Sequence, residues 1–110
     1  MNECSRYVEL LKERLSEMFD KKYVFLTGRA TTAIYLALRA IKRNCIGDKS
    51  MNVTLPDILC PSPANAVLYS NMEPLFCDVN LYDYNMNIES LIEVISKNTK
   101  AIIAVHLFGQ

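Results

Sequence analysis

An α/β fold with a mainly parallel sheet is what the sequence predicts, and three observations lead there. Apolar, β-rich runs alternate with stretches of helical period, the intervals between runs are long enough to hold a helix, and the last run lacks polar alternation. Strands without a polar face need cover on both sides, which flanking helices supply.

Taken in order, Tyr7 to Phe19 places Val8, Leu11, Leu15 and Met18/Phe19 at helical spacing, with Lys12, Glu13, Arg14 and Glu17 on the other face. This predicts an amphipathic helix over 5–20. "KYVFLTG" reads as a short buried strand ending at Gly28, and a helix from about Thr31 to Asn44 follows at once, with a threonine placed to cap it. Residues 22–44 therefore form a strand-turn-helix unit. After the turn signal Gly47-Asp48, "MNVTLP" is a second strand and "SPANAVLYSN" a short helix that tolerates Pro63 only in its first turn. "EPLFCDV" is a third strand, "NIESLIEVIS" a helix with Asn87 at its N-cap, and "TKAIIAVHLFG" a fourth strand, so 51–106 reads as a βαβαβ region.

Composition narrows the function. The chain's 110 residues have the size of one domain, able to bury roughly 65% of its unfolded surface. Twelve basic residues balance twelve acidic ones, so nothing in the charge calls for nucleic acid. Cys4, Cys45, Cys60 and Cys77 are scattered, with no C-x-x-C pair and His106 as the single histidine, which disfavours a zinc site and suits free thiols. The first residues, "MNECSRYVELLKERL", mix charge among apolar positions, so neither a signal peptide nor a membrane span is expected and the cytoplasm is the expected location.

The candidate chemistry sits in "TGRATTAIYLALRAI". A helix N-terminus at the carboxyl end of a strand offers unpaired amides and the positive end of a dipole, which together suit a phosphate. Ala30, Thr31 and Thr32 leave the backbone accessible, and the threonines add hydroxyl donors. The same residues also suit plain capping and close helix–sheet packing, and local chemistry leaves both readings open. Neither G-x-G-x-x-G nor G-x-x-x-x-G-K-[ST] is present.

Taken together, "TGRATTAIYLALRAI", "VTLPDILCPSPANAVLYSNMEPLFCDVN" and "NTKAIIAVHLFGQ" resemble, in order, the opening third of the DegT/DnrJ/StrS sugar aminotransferases, fold-type I enzymes that depend on pyridoxal phosphate. The resemblance runs from about Tyr7 to Gln110. It implies that 1–110 is a single partial domain, the N-terminal part of the large domain of a fold-type I aminotransferase, with strands alternating with helices in a mainly parallel sheet. Where the family has Gly-Thr-Ala on the cofactor phosphate, this chain has Ala30-Thr31-Thr32, and Ala30 requires a negative φ there. Four residues beyond Pro56, where the family carries an aromatic that stacks on the pyridine ring, stands Cys60, a smaller but polarizable cover. A buried apolar thiol is its plainer role.

For the remaining polar residues, local duties are the expectation. His106 suits a structural hydrogen bond, Arg29 either an anion or solvent, Asp78 and Asp83 turns and caps, and Tyr69, Tyr82 and Tyr84 packing against the sheet. No catalytic residue and no metal ligand is assigned.

The resemblance also says what is missing. Pyridoxal chemistry needs a Schiff-base lysine and an aspartate on the pyridinium nitrogen. None of Lys12, Lys21, Lys22, Lys42, Lys49, Lys97 and Lys100 falls in the family's lysine motif, and the acidic motif is absent as well. The family's sheet inserts later strands between the first strand and the other three, so "YVFLT" is expected to lack neighbours. The isolated chain is then expected to be marginal, to aggregate, or to associate with a partner that completes the sheet.

Three functions follow. The chain is the N-terminal portion of an aminotransferase that acts on a keto sugar nucleotide with glutamate as donor, as a homodimer in the family; or it is a truncated or split-gene product with a complementing chain; or it is a small nucleotide-binding α/β module.

Overall fold

The structure, a computed structural model, describes residues 3–109. Gln110, the last residue of the terminal motif, lies outside them.

Glu3–Phe19 forms helix α1, with a Lys12–Glu9 ion pair of 2.9 Å one turn apart on its surface. None of its described side chains is buried. The segment that follows does not form the strand expected over 22–28. A strand exists only as part of a hydrogen-bonded ladder, and among the described residues no neighbouring strand runs beside Tyr23–Thr27. Instead Lys22–Leu26 lies along α1 near Lys12, Glu13 and Ser16, and the Ser16 hydroxyl donates to the Lys21 carbonyl at 2.5 Å. Phe25 is left 86% exposed.

Helix α2 spans Ala30–Asn44. It begins one residue earlier than the sequence suggests, and the expected threonine cap is not there: Arg29 is the N-cap, in extended conformation, with no side-chain cap bond. Thr31 and Thr32 lie inside the first turn, where a hydroxyl no longer precedes the amides it would cap. Alanine is the best helix former, which favours starting at Ala30. Lys42 in the last turn donates to the Asn71 carbonyl at 2.6 Å and ties α2 to the chain beyond the next helix.

Strands β1 (Asn52–Pro56), β2 (Glu73–Cys77) and β3 (Thr99–Ile102) make one parallel sheet in the order β2-β1-β3. Every residue of the central β1 is buried. Helix α3, Pro61–Tyr69, opens on Pro61 and keeps Pro63 within its first turn, where a missing N–H costs nothing. Helix α4, Ile88–Val94, is capped as expected: the Asn87 side-chain oxygen accepts the Ser90 amide at 2.8 Å.

The fourth predicted strand ends early. Its ladder stops with the Ile103 amide donating to the Thr54 carbonyl at 2.9 Å, because the partner strand β1 ends at Pro56, which has no N–H. Beyond it, Leu107–Gly109 forms a short turn with Phe108 in the left-handed region at φ 55°.

The core is Leu38, Val53, Leu55, Val67 and Met72, one face of β1 sealed by α2 and α3. Each such side chain contributes about 1.5–3 kcal/mol when fully buried, so this small cluster holds α2 and α3 against the sheet and thereby sets where their N-termini lie. The rest of the molecule spreads out. The radius of gyration is 16.5 Å, against about 13 Å for a compact chain of this length.

Candidate functional site

Helix α3 follows the carboxyl end of β1, and α2 packs beside it through the shared core, so the two helix N-termini open on one cleft of about 510 Å³. Arg29, Thr31 and Thr32 line it from α2, and Ser62 and Asn65 from α3. Tyr35 and Tyr69 complete the wall.

The donor set suits an anion. Thr32 and Ala33 direct their amides at the Arg29 carbonyl, at 3.1 and 3.3 Å, whereas among the described residues no acceptor serves the amides of Ala30 and Thr31. Those two are orphan donors of the first turn. Neither α2 nor α3 has an acidic residue in its first turn, so the positive ends of both dipoles stand uncompensated. The Thr27 hydroxyl donates to the Arg29 carbonyl at 2.9 Å and braces the turn that presents them.

Thr31 is half-buried and Thr32 exposed, and the structure brings both into the cleft. Ala30 is exposed at the first helical position, outside the cleft lining; its φ is not positive, so its methyl group is accommodated where a glycine could otherwise be required. Cys60 is exposed as the N-cap of α3 and does not line the cleft. Sequence reasoning missed Ser62 and Asn65. The available signal was positional, because both helices follow predicted strands and so start on the same sheet edge.

A phosphate fits these residues: Arg29, Thr31 and Thr32 line the cleft with no carboxylate among the lining residues, and the neighbouring amides of Ala30 and Thr31 have no acceptor among the described residues. The cleft lining contains no lysine, aspartate or glutamate, so only the phosphate end of a larger cofactor is provided for.

Other residues singled out in the sequence stand apart. His106 is exposed. The Asp83 carboxylate accepts the Asn85 amide at 3.0 Å, and this bond first of all holds its pKa below the usual aspartate range. Asp78 accepts the Val79 amide at 2.7 Å. The tyrosines depart from expectation: Tyr69, at the end of α3, and Tyr82 and Tyr84, in the loop after β2, are exposed rather than packed on the sheet. Cys77 is buried at the end of β2, and its thiol pKa is raised, chiefly by burial and then by the nearby Asp57 carboxylate. No cluster of metal-ligating side chains occurs among the described residues, and no helix there is long and apolar enough to cross a membrane.

The profile of the DegT/DnrJ/EryC1/StrS aminotransferase family matches residues 2–110. The chain belongs to this family. Among DegT/DnrJ/EryC1/StrS relatives, it is 34% identical over 104 residues to 3-oxo-glucose-6-phosphate:glutamate aminotransferase of Bacillus subtilis, covering 94% of this chain and 23% of that protein. It is 27% identical to GDP-perosamine synthase of Escherichia coli O157:H7, covering 99% of this chain and 31% of that one. The crystal structure of NtdA from Bacillus subtilis with bound cofactor PMP superposes with a TM-score of 0.80 at 31% identity, over 94% of this chain and 23% of that one. The chain therefore spans between a fifth and a third of the length of these family members. Its parallel sheet and flanking helices are the fold-type I architecture of those members.

Proposed function

We propose that the chain is the N-terminal portion of a pyridoxal-phosphate-dependent aminotransferase that acts on a keto sugar nucleotide with glutamate as amino donor, in the cytoplasm. The observation that carries this reading is the cleft at the two helix N-termini, with Thr31 and Thr32 in it, in a chain of this family. The name of GDP-perosamine synthase supports a nucleotide-linked sugar, that of 3-oxo-glucose-6-phosphate:glutamate aminotransferase supports glutamate as donor, and the PMP bound to NtdA supports the cofactor.

In this reading the amides of Ala30 and Thr31 and the hydroxyls of Thr31 and Thr32 hold the cofactor's phosphate, fixing one end of the molecule. Arg29 adds positive charge at the cleft mouth, and Cys60, at the start of α3, offers an apolar surface toward the ring. Bound pyridoxal phosphate supplies the electron sink on which amino transfer depends. These residues bind and orient only. With no lysine or acidic residue in the cleft, they do not move the substrate's proton, and transamination needs groups from a further stretch of polypeptide, whether continuous or from a complementing chain.

The test is titration of the isotopically labelled chain with pyridoxal phosphate, followed by the backbone amide resonances of Ala30 and Thr31. Both should shift, and Thr31→Val should weaken binding about tenfold, the equivalent of about 1.4 kcal/mol. Borohydride should fix no specific lysine adduct. Unshifted Ala30 and Thr31 amides would refute the cradle, and a stronger response to a mononucleotide than to pyridoxal phosphate would favour a nucleotide-binding module.

A further inference from the structure

We infer that the far end of the cleft, walled by Tyr35 and Tyr69, receives the base and ribose of the sugar nucleotide. This rests on the cofactor reading above and deepens it, because it gives a role to the lining residues that the cofactor leaves unused.

The cleft has two chemically different ends. Its walls are α2 and α3, held side by side by Leu38 and Val67 in the core and by the Lys42–Asn71 bond of 2.6 Å, so the groove is made by this chain's own packing. Along α3, Ser62, Asn65 and Tyr69 recur three and then four residues apart and form one stripe. At about 1.5 Å per residue, that stripe runs about 10 Å from the first turn of the helix to the last. On α2, Tyr35 stands one turn beyond Thr31. Positive charge and orphan amides therefore gather where the helices begin, and a hydroxyl, an amide and two phenol rings follow further along.

A cofactor held by its phosphate at Thr31 leaves that second end open. Its ring turns toward Cys60, which lies outside the lining. The cleft's volume of about 510 Å³ is within the range of about 300–1,000 Å³ for sites that take a whole small molecule. The occupant follows from the side chains. Glutamate carries two carboxylates, and the described lining residues offer Arg29 alone as a cation. The keto group of the sugar must reach the reacting ring, which places it on the Cys60 side. The nucleoside remains, and each part of it meets a matching group. A flat base stacks on phenol rings, the Asn65 amide presents a donor beside an acceptor to a base edge, and the Ser62 hydroxyl suits a ribose hydroxyl. Arg29 suits the diphosphate.

The test adds GDP, UDP and dTDP in turn to the isotopically labelled chain in the presence of pyridoxal phosphate. At least one should shift the Asn65 side-chain amide and the Tyr69 ring resonances, whereas inorganic pyrophosphate should leave Tyr69 unmoved. Tyr69 is 70% exposed, so its replacement spares the core. Tyr69→Ala should weaken nucleotide binding at least about fivefold, and Tyr69→Phe, which keeps the stacking face, should stay within about twofold of the parent. Both variants should leave the response of the Ala30 and Thr31 amides to pyridoxal phosphate unchanged. Silence at Asn65 and Tyr69 with all three nucleotides, or a Tyr69→Ala variant that binds like the parent, overturns the inference and leaves the cofactor reading standing. Ala30 and Thr31 amides that ignore pyridoxal phosphate overturn the cofactor reading, and this inference falls with it.

Discussion

Cys60 and Cys77 show how one residue type takes opposite characters. Cys60 stands exposed where α3 begins, while Cys77 is buried at the end of β2 with its thiol held protonated by burial. Because the thiolate is the reactive form, iodoacetamide at pH 8 should modify Cys60 at least about tenfold faster than Cys77, read by peptide mass spectrometry, and denaturant should erase the difference. Equal rates in the folded chain would mean that β2 opens readily. The same scale explains the cradle. Thr31 and Thr32 were legible as candidates because small, hydroxylated residues at a helix mouth suit an anion, but Ser62 and Asn65, thirty residues further on, enter the cleft only because the core docks α3 beside α2.

At the level of elements, local signals succeeded where the chemistry is local. Asn87 caps α4 through the Ser90 amide, and Pro61 and Pro63 open α3, as turn and cap preferences require. Asn87→Ala should cost about 1 kcal/mol in urea unfolding followed by circular dichroism, with Asn87→Asp close to the parent; an unchanged midpoint for the alanine variant would show that α4 is held by packing alone. Strands were harder to delimit. The apolar run beginning at Thr99 continues to Val105, yet the ladder ends after Ile103, because the strand beside it terminates in a proline. "YVFLT" is rich in β-forming residues but has no partner strand among the described residues, so its sequence signal has no ladder there to realise it.

For the whole molecule, the consequence is uneven stability. The core around β1 is closed, while α1 buries no described side chain and Lys22–Leu26 lies open beside it. An amphipathic helix without tertiary packing is marginal in water. Brief trypsin treatment should therefore cut first at Lys12, Arg14, Lys21 or Lys22, and the amides of Val53 to Leu55 should be the slowest to exchange with deuterium. Cleavage beginning at Arg39, Lys42 or Lys100 would contradict this distribution.

Sequence alone was enough to establish the order of the elements from α2 to β3, the parallel character of the sheet and the family, and to single out the threonine pair as a candidate, because periodicity, capping residues and motif order are carried by near neighbours in the chain. Tertiary structure decided which predicted strands pair, where β3 stops and which residues share the cleft. Those outcomes depend on hydrogen-bonding and packing partners distant in sequence, and a segment cannot announce from its own residues whether such a partner will be there.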